Sequence, residues 1–326
     1  MIWLQIVLLA GFSLLLIKST EILTDSLQQL SRIAKIGKFT ITSTVLTLAT
    51  SAPELVVGVA AALEGRPSLA LGTVVGSNIA NISIVIGGAA LIGGSFSVIG
   101  EFLKIDIFSV FLAGVLPLML LLDGSLSRVD GLILLLVYGM YNYGLLNVQR
   151  HSVEEINRPR LIRGIFKNKG TKGLNRWLAW LFLGAAMLVF AADMIVKTGI
   201  NLATYLGVPV FLIGLFLVAI GTSLPELAFQ TRAIKRRQAS MALGNLFGSV
   251  VANSTLILGI VALISPIKLV GGLNAYLLAA AVFGVMFLLF WYFVKTKKKL
   301  ERWEGVVLLV AYILFVLAEW MRTPVL

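Results

Sequence analysis

The sequence predicts an all-α polytopic membrane protein: ten transmembrane helices arranged as two inverted-topology repeats of five. Three observations predict it. First, 59% of the 326 residues are hydrophobic and only 13% are charged, with a mean hydropathy of +0.98. A soluble domain carries about twice that share of charge, and so few charges cannot cover a water-facing surface. Second, apolar segments of spanning length recur along the whole chain. Third, the second half repeats the first at a fixed offset. This composition excludes a soluble enzyme, a disordered tail and a fibrous protein.

Ten apolar segments are read, at 3–22, 39–63, 69–94, 103–122, 128–147, 177–200, 208–233, 241–266, 273–294 and 304–320. The first has neither a basic leader nor a small-residue cleavage site, so it reads as a span and not a signal peptide. Basic residues set the orientation. Of the 27 Lys and Arg, 21 fall in the loops after spans one, three, five, seven and nine. The opposite side has only Arg66, Arg128, Lys197, Lys268 and Arg322. The positive-inside rule then places both termini outside. Residues 1–147 form the first five-helix repeat, 148–176 a basic cytoplasmic linker and 177–326 the second repeat. The linker is too short and too basic for a folded domain.

Other counts narrow the chemistry. There is no cysteine, hence no disulfide, thiolate metal site or iron–sulfur cluster. The one histidine, His151, lies in a polar stretch, away from any second ligand of its kind. The net charge of +12 suits cytoplasmic loops of a membrane protein better than a nucleic-acid surface. The expected partner is the lipid bilayer, with no nucleic acid and no cofactor. The oligomeric state stays open, and a monomer suffices for this reading.

The two halves match at an offset of 172 residues. Thr50-Ser51-Ala52-Pro53-Glu54-Leu55 aligns with Thr222-Ser223-Leu224-Pro225-Glu226-Leu227. Gly76-Ser77 aligns with Gly248-Ser249, and Ala80-Asn81 with Ala252-Asn253. Fifteen of 41 positions are identical between 47–87 and 219–259, without a gap. Five spans is an odd number, so the second copy enters the membrane from the opposite side. Inverted repeats are a construction of secondary transporters, which bind substrate near the midplane at broken helices. Pro53 and Pro225 supply a break in each half, because proline frees backbone carbonyls.

Glu54 and Glu226 fall near the middle of spans two and seven. A carboxylate there costs on the order of 2.5 kcal/mol and is functional by default. Neither has a basic residue within a turn or two. Around them lie Thr50, Ser51, Thr222 and Ser223. Spans three and eight add Ser77 with Asn81 and Ser249 with Asn253, each pair on one helix face. A set of carboxylate, hydroxyl and amide oxygens selects hard cations such as calcium, sodium or magnesium. Two carboxylates sharing a pocket would also attract a proton, so acid pH should compete with the cation. Gly72, Gly76 and Ala80, repeated as Gly244, Gly248 and Ala252, form a small-residue packing face. Glu21 and Asp193 read as structural ion pairs with Lys18 and Lys197.

The doubled blocks Thr-Ser-x-Pro-Glu and Gly-x-x-x-Gly-Ser-x-x-x-Asn resemble the alpha repeats of the sodium/calcium exchanger family, within the calcium:cation antiporter superfamily. The resemblance covers essentially the whole chain. It implies a prokaryotic plasma-membrane antiporter exchanging Ca2+ for Na+ by alternating access, with spans one and six sliding past the rest. Carried over, Glu54 and Glu226 would be central ligands. Thr50, Ser51, Ser77, Thr222, Ser223, Ser249 and the backbone carbonyls near Thr47 and Ala219 would complete the ion sites. Asn81 and Asn253 would face the same pocket. The chain departs from the family pattern at Ala49, where glycine is usual, and at Val250, which stands where the first half has Asn78. Asn253 replaces an acid found in some members and argues against potassium coupling. These departures leave open a proton-coupled exchanger, or one moving manganese or magnesium. A cation channel is the remaining alternative.

Overall fold

The computed structural model describes residues 2–33, 49–98, 102–152, 174–269 and 274–322. Helix α1 (Ile2–Ile33) packs along α7 (Leu174–Leu206). The contact is close because Gly184 has no side chain: a Cβ there would lie 3.1 Å from the Leu23 nitrogen and 3.3 Å from the Ser19 oxygen. Phe12 meets Phe190 edge-on beside it, at 6.2 Å between centroids. The hydroxyls of Ser19, Thr20 and Ser26 bond back to carbonyls of their own helix, which hides their polarity within the span. Outward, the helix pair exposes Trp3, Leu4, Val7, Leu14, Phe182 and Phe190, the surface a lipid phase accepts.

The interior is built from two sets of helices, one from each half. The first runs through α2 (Ala52–Leu63), then α3 (Pro67–Ala80), a π-helical segment at Asn81–Val85 and α4 (Ile86–Gly93). From Leu69 to Asn81 every residue is buried. Strand β1 (Phe96–Ser97), α5 (Phe102–Leu120), strand β2 (Ser125–Leu126) and α6 (Arg128–Ser152) follow. In the second half α8 (Val210–Ile213) leads through a π segment, Gly214–Val218, into α9 (Ala219–Lys235). Then come α10 (Ala239–Val251), a third π segment at Ala252–Ile257 and α11 (Leu258–Ile264). Strand β3 (Ile267–Lys268), α12 (Asn274–Lys297), strand β4 (Lys299–Leu300) and α13 (Arg302–Arg322) close the chain.

The 172-residue offset reappears in the elements. Helix α3 begins at Pro67 and α10 at Ala239. The π segments at 81–85 and 252–257 interrupt equivalent helices. Two short antiparallel ladders each join one half to the other: β1 with β4 (Phe96 opposite Leu300) and β2 with β3 (Leu126 opposite Ile267). Helix α6 starts on a reciprocal cap and α13 on a single capping bond. Ser127 and Asp130 bond each other's backbone nitrogens, and the Glu301 nitrogen donates to Glu304 at 2.8 Å.

The predicted small-residue face is seen in the first half. A Cβ on Gly72 would collide with the Phe211 carbonyl oxygen, and one on Gly76 with that of Leu215. The backbones of α3 and the 211–215 stretch therefore touch directly. The predicted ion pairs also form: Lys18 with Glu21 at 2.8 Å, and Lys197 with Asp193 at 2.9 Å.

Among the described residues seven helices are long and apolar enough to cross a membrane, against the ten expected. The expected 39–63 span begins outside the described residues, which leaves only the short helix Ala52–Leu63. The 103–122 span survives as the shorter apolar stretch Ile107–Asp123. The 128–147 span is helix α6, where Arg128, Asp130 and Asn142 interrupt the apolar run.

Candidate cation-binding site

The two carboxylates that the sequence places in mid-span are both 1% exposed. They reach that position differently. Ser51 lies outside helical geometry (φ −86°, ψ 3°), and α2 starts just after it with Pro53 in its first turn, where a missing N–H costs nothing. Glu54 follows within that turn. In the second half the helix does not break: Pro225 lies inside a continuous α9, and Glu226 is carried along it. The expected proline break is thus found at Pro53 and replaced at Pro225 by an uninterrupted helix. Pro225 has no N–H to offer the Gly221 carbonyl one turn back, and nearby Thr222 Oγ1 donates to the Ala219 carbonyl at 3.2 Å.

Helices α2, α3, α9 and α10 bring most of the predicted residues together across the two halves. Ser77 Oγ lies 3.2 Å from Thr222 Oγ1 and donates a long bond, 3.5 Å, to Glu54 Oε1. Ser51 Oγ donates to Ser249 Oγ at 3.3 Å. Every one of these pairs except Ser77–Glu54 joins the first half to the second. Asn81 and Asn253 are buried in their π segments, at 0% and 1% exposure. Ser223 is buried as well. Thr47 lies outside the described residues.

The hydrogen-bond inventory is incomplete in a telling place. Among the described residues Glu54 Oε2, both carboxylate oxygens of Glu226, Ser223 Oγ, both amide atoms of Asn81 and Asn253 Oδ1 are buried without a partner. Buried polar atoms are otherwise almost always satisfied. None of the ion pairs among the described residues supplies Glu54 or Glu226 with a basic group. No group of three or more His, Cys, Asp or Glu forms among them either, so a cation here would rest on two carboxylates plus neutral oxygens. That donor set fits a hard, oxygen-seeking cation.

Comparisons with known proteins decide what class of molecule carries this site. The family model described as "Sodium/calcium exchanger protein" matches residues 4–147 and 176–321. The chain belongs to the sodium/calcium exchanger family. As a member of it, the chain is an integral membrane protein and a cation antiporter. It is 33% identical to the inner membrane protein YrbG of Escherichia coli over 259 residues, 78% of each chain. It is 29% identical to the sodium/calcium exchanger MaX1 of Methanosarcina acetivorans, over 95% of this chain and 96% of that one. The structure is similar to that of the sodium-calcium exchanger NCX_Mj soaked with Na+ and Sr2+. There the TM-score is 0.66, with 26% identity over 97% of this chain and 99% of that chain.

Sequence reasoning missed several polar residues of this exchanger-family site. Asn245 Nδ2 donates to Thr50 Oγ1 at 2.8 Å. Asn78 and Ser254 form a buried bond of 2.7 Å. Gln230, fully buried one helical turn beyond Glu226, has neither amide atom partnered among the described residues. The available signal was a polar residue inside an apolar span. It was passed over because none of the four has an identical counterpart in the other half.

Proposed function

We propose that the chain exchanges Ca2+ for Na+ by alternating access, with the ions bound between two inverted five-helix halves. The observation that carries this reading is the pair Glu54 and Glu226. They occupy equivalent places in the two halves, are buried, and keep oxygens unpartnered among the described residues, amid hydroxyl and amide oxygens. A buried charge without a partner is costly, and a transported cation relieves that cost each time it binds. Calcium accepts six to eight oxygens in flexible geometry, which a pocket lined from both halves supplies.

In this reading Glu54 and Glu226 are the central ligands. Thr50, Ser51, Ser77, Thr222, Ser223 and Ser249 complete the sites with the Ala219 carbonyl and that of Thr47. Asn81 and Asn253 face the same ions. Residues 1–147 and 177–326 are the two repeats, 148–176 is the cytoplasmic linker, and both termini lie outside. Calcium and sodium are cargo, and no cofactor takes part.

The test is radioactive calcium uptake into proteoliposomes loaded with sodium and diluted into sodium-free buffer, with the potential clamped. Uptake should require the sodium gradient. Uptake that followed an imposed proton gradient would replace sodium as the coupling ion. No uptake under either gradient, with folded protein present, would overturn the reading.

A further inference from the structure

Asn81 and Asn253 hold equivalent positions in the two halves, yet only one of them is clamped. Asn253 Nδ2 donates to Asn78 Oδ1 at 3.2 Å. Asn78 Nδ2 donates in turn to Ser254 Oγ at 2.7 Å. Asn78 is 3% exposed, and Asn253 and Ser254 are 1% exposed. No such chain forms at Asn81, whose amide atoms both lack a partner among the described residues. The sequence explains the difference. Val250 stands where Asn78 would have its counterpart, and Ile82 where Ser254 would. The first half therefore lends a polar clamp to the second, and the second returns none.

A primary amide has two faces toward a cation: its oxygen can be a ligand, and its NH2 group repels. The bond to Asn78 occupies the NH2 side of Asn253. It leaves Oδ1 buried and, among the described residues, unpartnered. Asn253 lies one turn beyond Ser249, whose hydroxyl meets Ser51 across the halves, so this oxygen belongs to the same side of the helix as the site.

We infer that Asn78 is a positioning residue for ion exchange: it turns the Asn253 amide so that its oxygen is presented to the cation. The inference rests on the cation-exchange reading above. A preoriented oxygen costs less ordering when the ion arrives than one free to rotate. The pocket is accordingly asymmetric, with a fixed amide oxygen on the second-half side and a rotatable amide, Asn81, opposite.

The experiment uses the full chain, purified, with calcium, strontium and sodium titrated separately by thermal stabilisation. Calcium exchange is measured beside it in proteoliposomes. Asn78→Val installs the side chain found at position 250. Apparent calcium affinity should fall roughly tenfold, with a much smaller change in maximal rate. Asn78→Asp, which can still accept from Asn253 Nδ2, should keep most of the affinity. Asn253→Ala removes the oriented oxygen itself, and adding Asn78→Val to it should then cost little more. Wild-type affinity in Asn78→Val, or full additivity in the double variant, would overturn the positioning role. Should Asn78→Val fail to fold, Ser254→Ala loosens the clamp with a minimal change. An affinity loss there supports the role, and unchanged affinity overturns it. A wild type that responds to none of the three ions would overturn the cation reading itself and the proposal with it.

Discussion

At the scale of single residues, the burden falls on two carboxylates. Glu54→Gln or Glu226→Gln keeps the shape and removes one negative charge. Calcium exchange should drop by at least a hundredfold while the purified protein stays monodisperse and no less thermally stable; calcium flux near normal in either variant would reject the ligand assignment. Protons should compete for the same oxygens, because two carboxylates in one dry pocket disfavour charge and a proton on either relieves that cost. Exchange at limiting calcium should therefore fall as pH drops from 8 to 5, and saturating calcium should restore it. A flat profile would mean that neither carboxylate binds a proton in the empty site. The carboxylates and the hydroxyl residues were legible in the sequence because each occurs twice, and repetition separates a ligand from ordinary helix–helix glue. Asn78, Asn245, Ser254 and Gln230 were not legible. Among the described residues their partners lie in the other half or are lacking, and their repeat counterparts are Val250, Thr73, Ile82 and Gly58.

At the scale of elements, close packing and caps make separate predictions. A methyl group on Gly76 would strike the Leu215 carbonyl oxygen and come within 2.7 Å of Ala219 Cβ. Backbone cannot step aside as a side chain can, so Gly76→Ala should destabilise by about 3 kcal/mol. At Gly284 a Cβ meets nothing within 4 Å, and Gly284→Ala should change stability by less than about 1 kcal/mol in thermal unfolding. Between α12 and α13, Glu301 accepts from Lys297 at 2.8 Å and from Trp303 Nε1 at 2.7 Å, with Lys299 also beside it. Their bonds and charges hold its carboxyl down at about 2, against an ordinary 4.5. A lowered carboxyl stabilises the fold above its unfolded value and loses that contribution as pH falls toward 2. The small stability gap between wild type and Glu301→Gln at pH 7 should therefore close on acidification; a gap that widened would reverse the sign. Helix positions were largely legible from hydropathy, and the equivalence of the halves from the offset. The π segments were not. Two of the three appear where Asn81 and Asn253 sit, and all lie inside runs that read as plain apolar helix, because an i→i+5 bond leaves no periodicity over five or six residues. The break at Pro225 was over-read: α9 runs through it without interruption.

At the scale of the whole molecule, the repeat makes a prediction that neither half makes alone. Lys197 of α7 reaches Glu64, just past α2, at 3.8 Å. The residues displaced by 172 are Asp25 on α1 and Arg236 just past α9, with the charges exchanged. Among the described residues no ion pair joins those two, and both are exposed. If the halves exchange conformations during transport, whatever parts Lys197 from Glu64 brings Asp25 to Arg236. An exposed pair contributes only about 0.2–1 kcal/mol, yet that is enough to shift a balanced two-state equilibrium severalfold. The chain has no cysteine, so paired cysteines can be introduced without background. Lys197→Cys with Glu64→Cys, and separately Asp25→Cys with Arg236→Cys, should cross-link with a short bismaleimide in opposite response to ion conditions: sodium or calcium that favours one pair should protect the other. Two pairs that rose and fell together, or ignored the ions, would show that α1 and α7 do not move as a unit against the rest. The ends of the molecule would then have to open by another motion. Charge exchange at one pair, Lys197→Glu with Glu64→Lys, should leave the cross-linking balance of the Asp25 pair near that of the wild type, whereas Lys197→Glu alone should raise it.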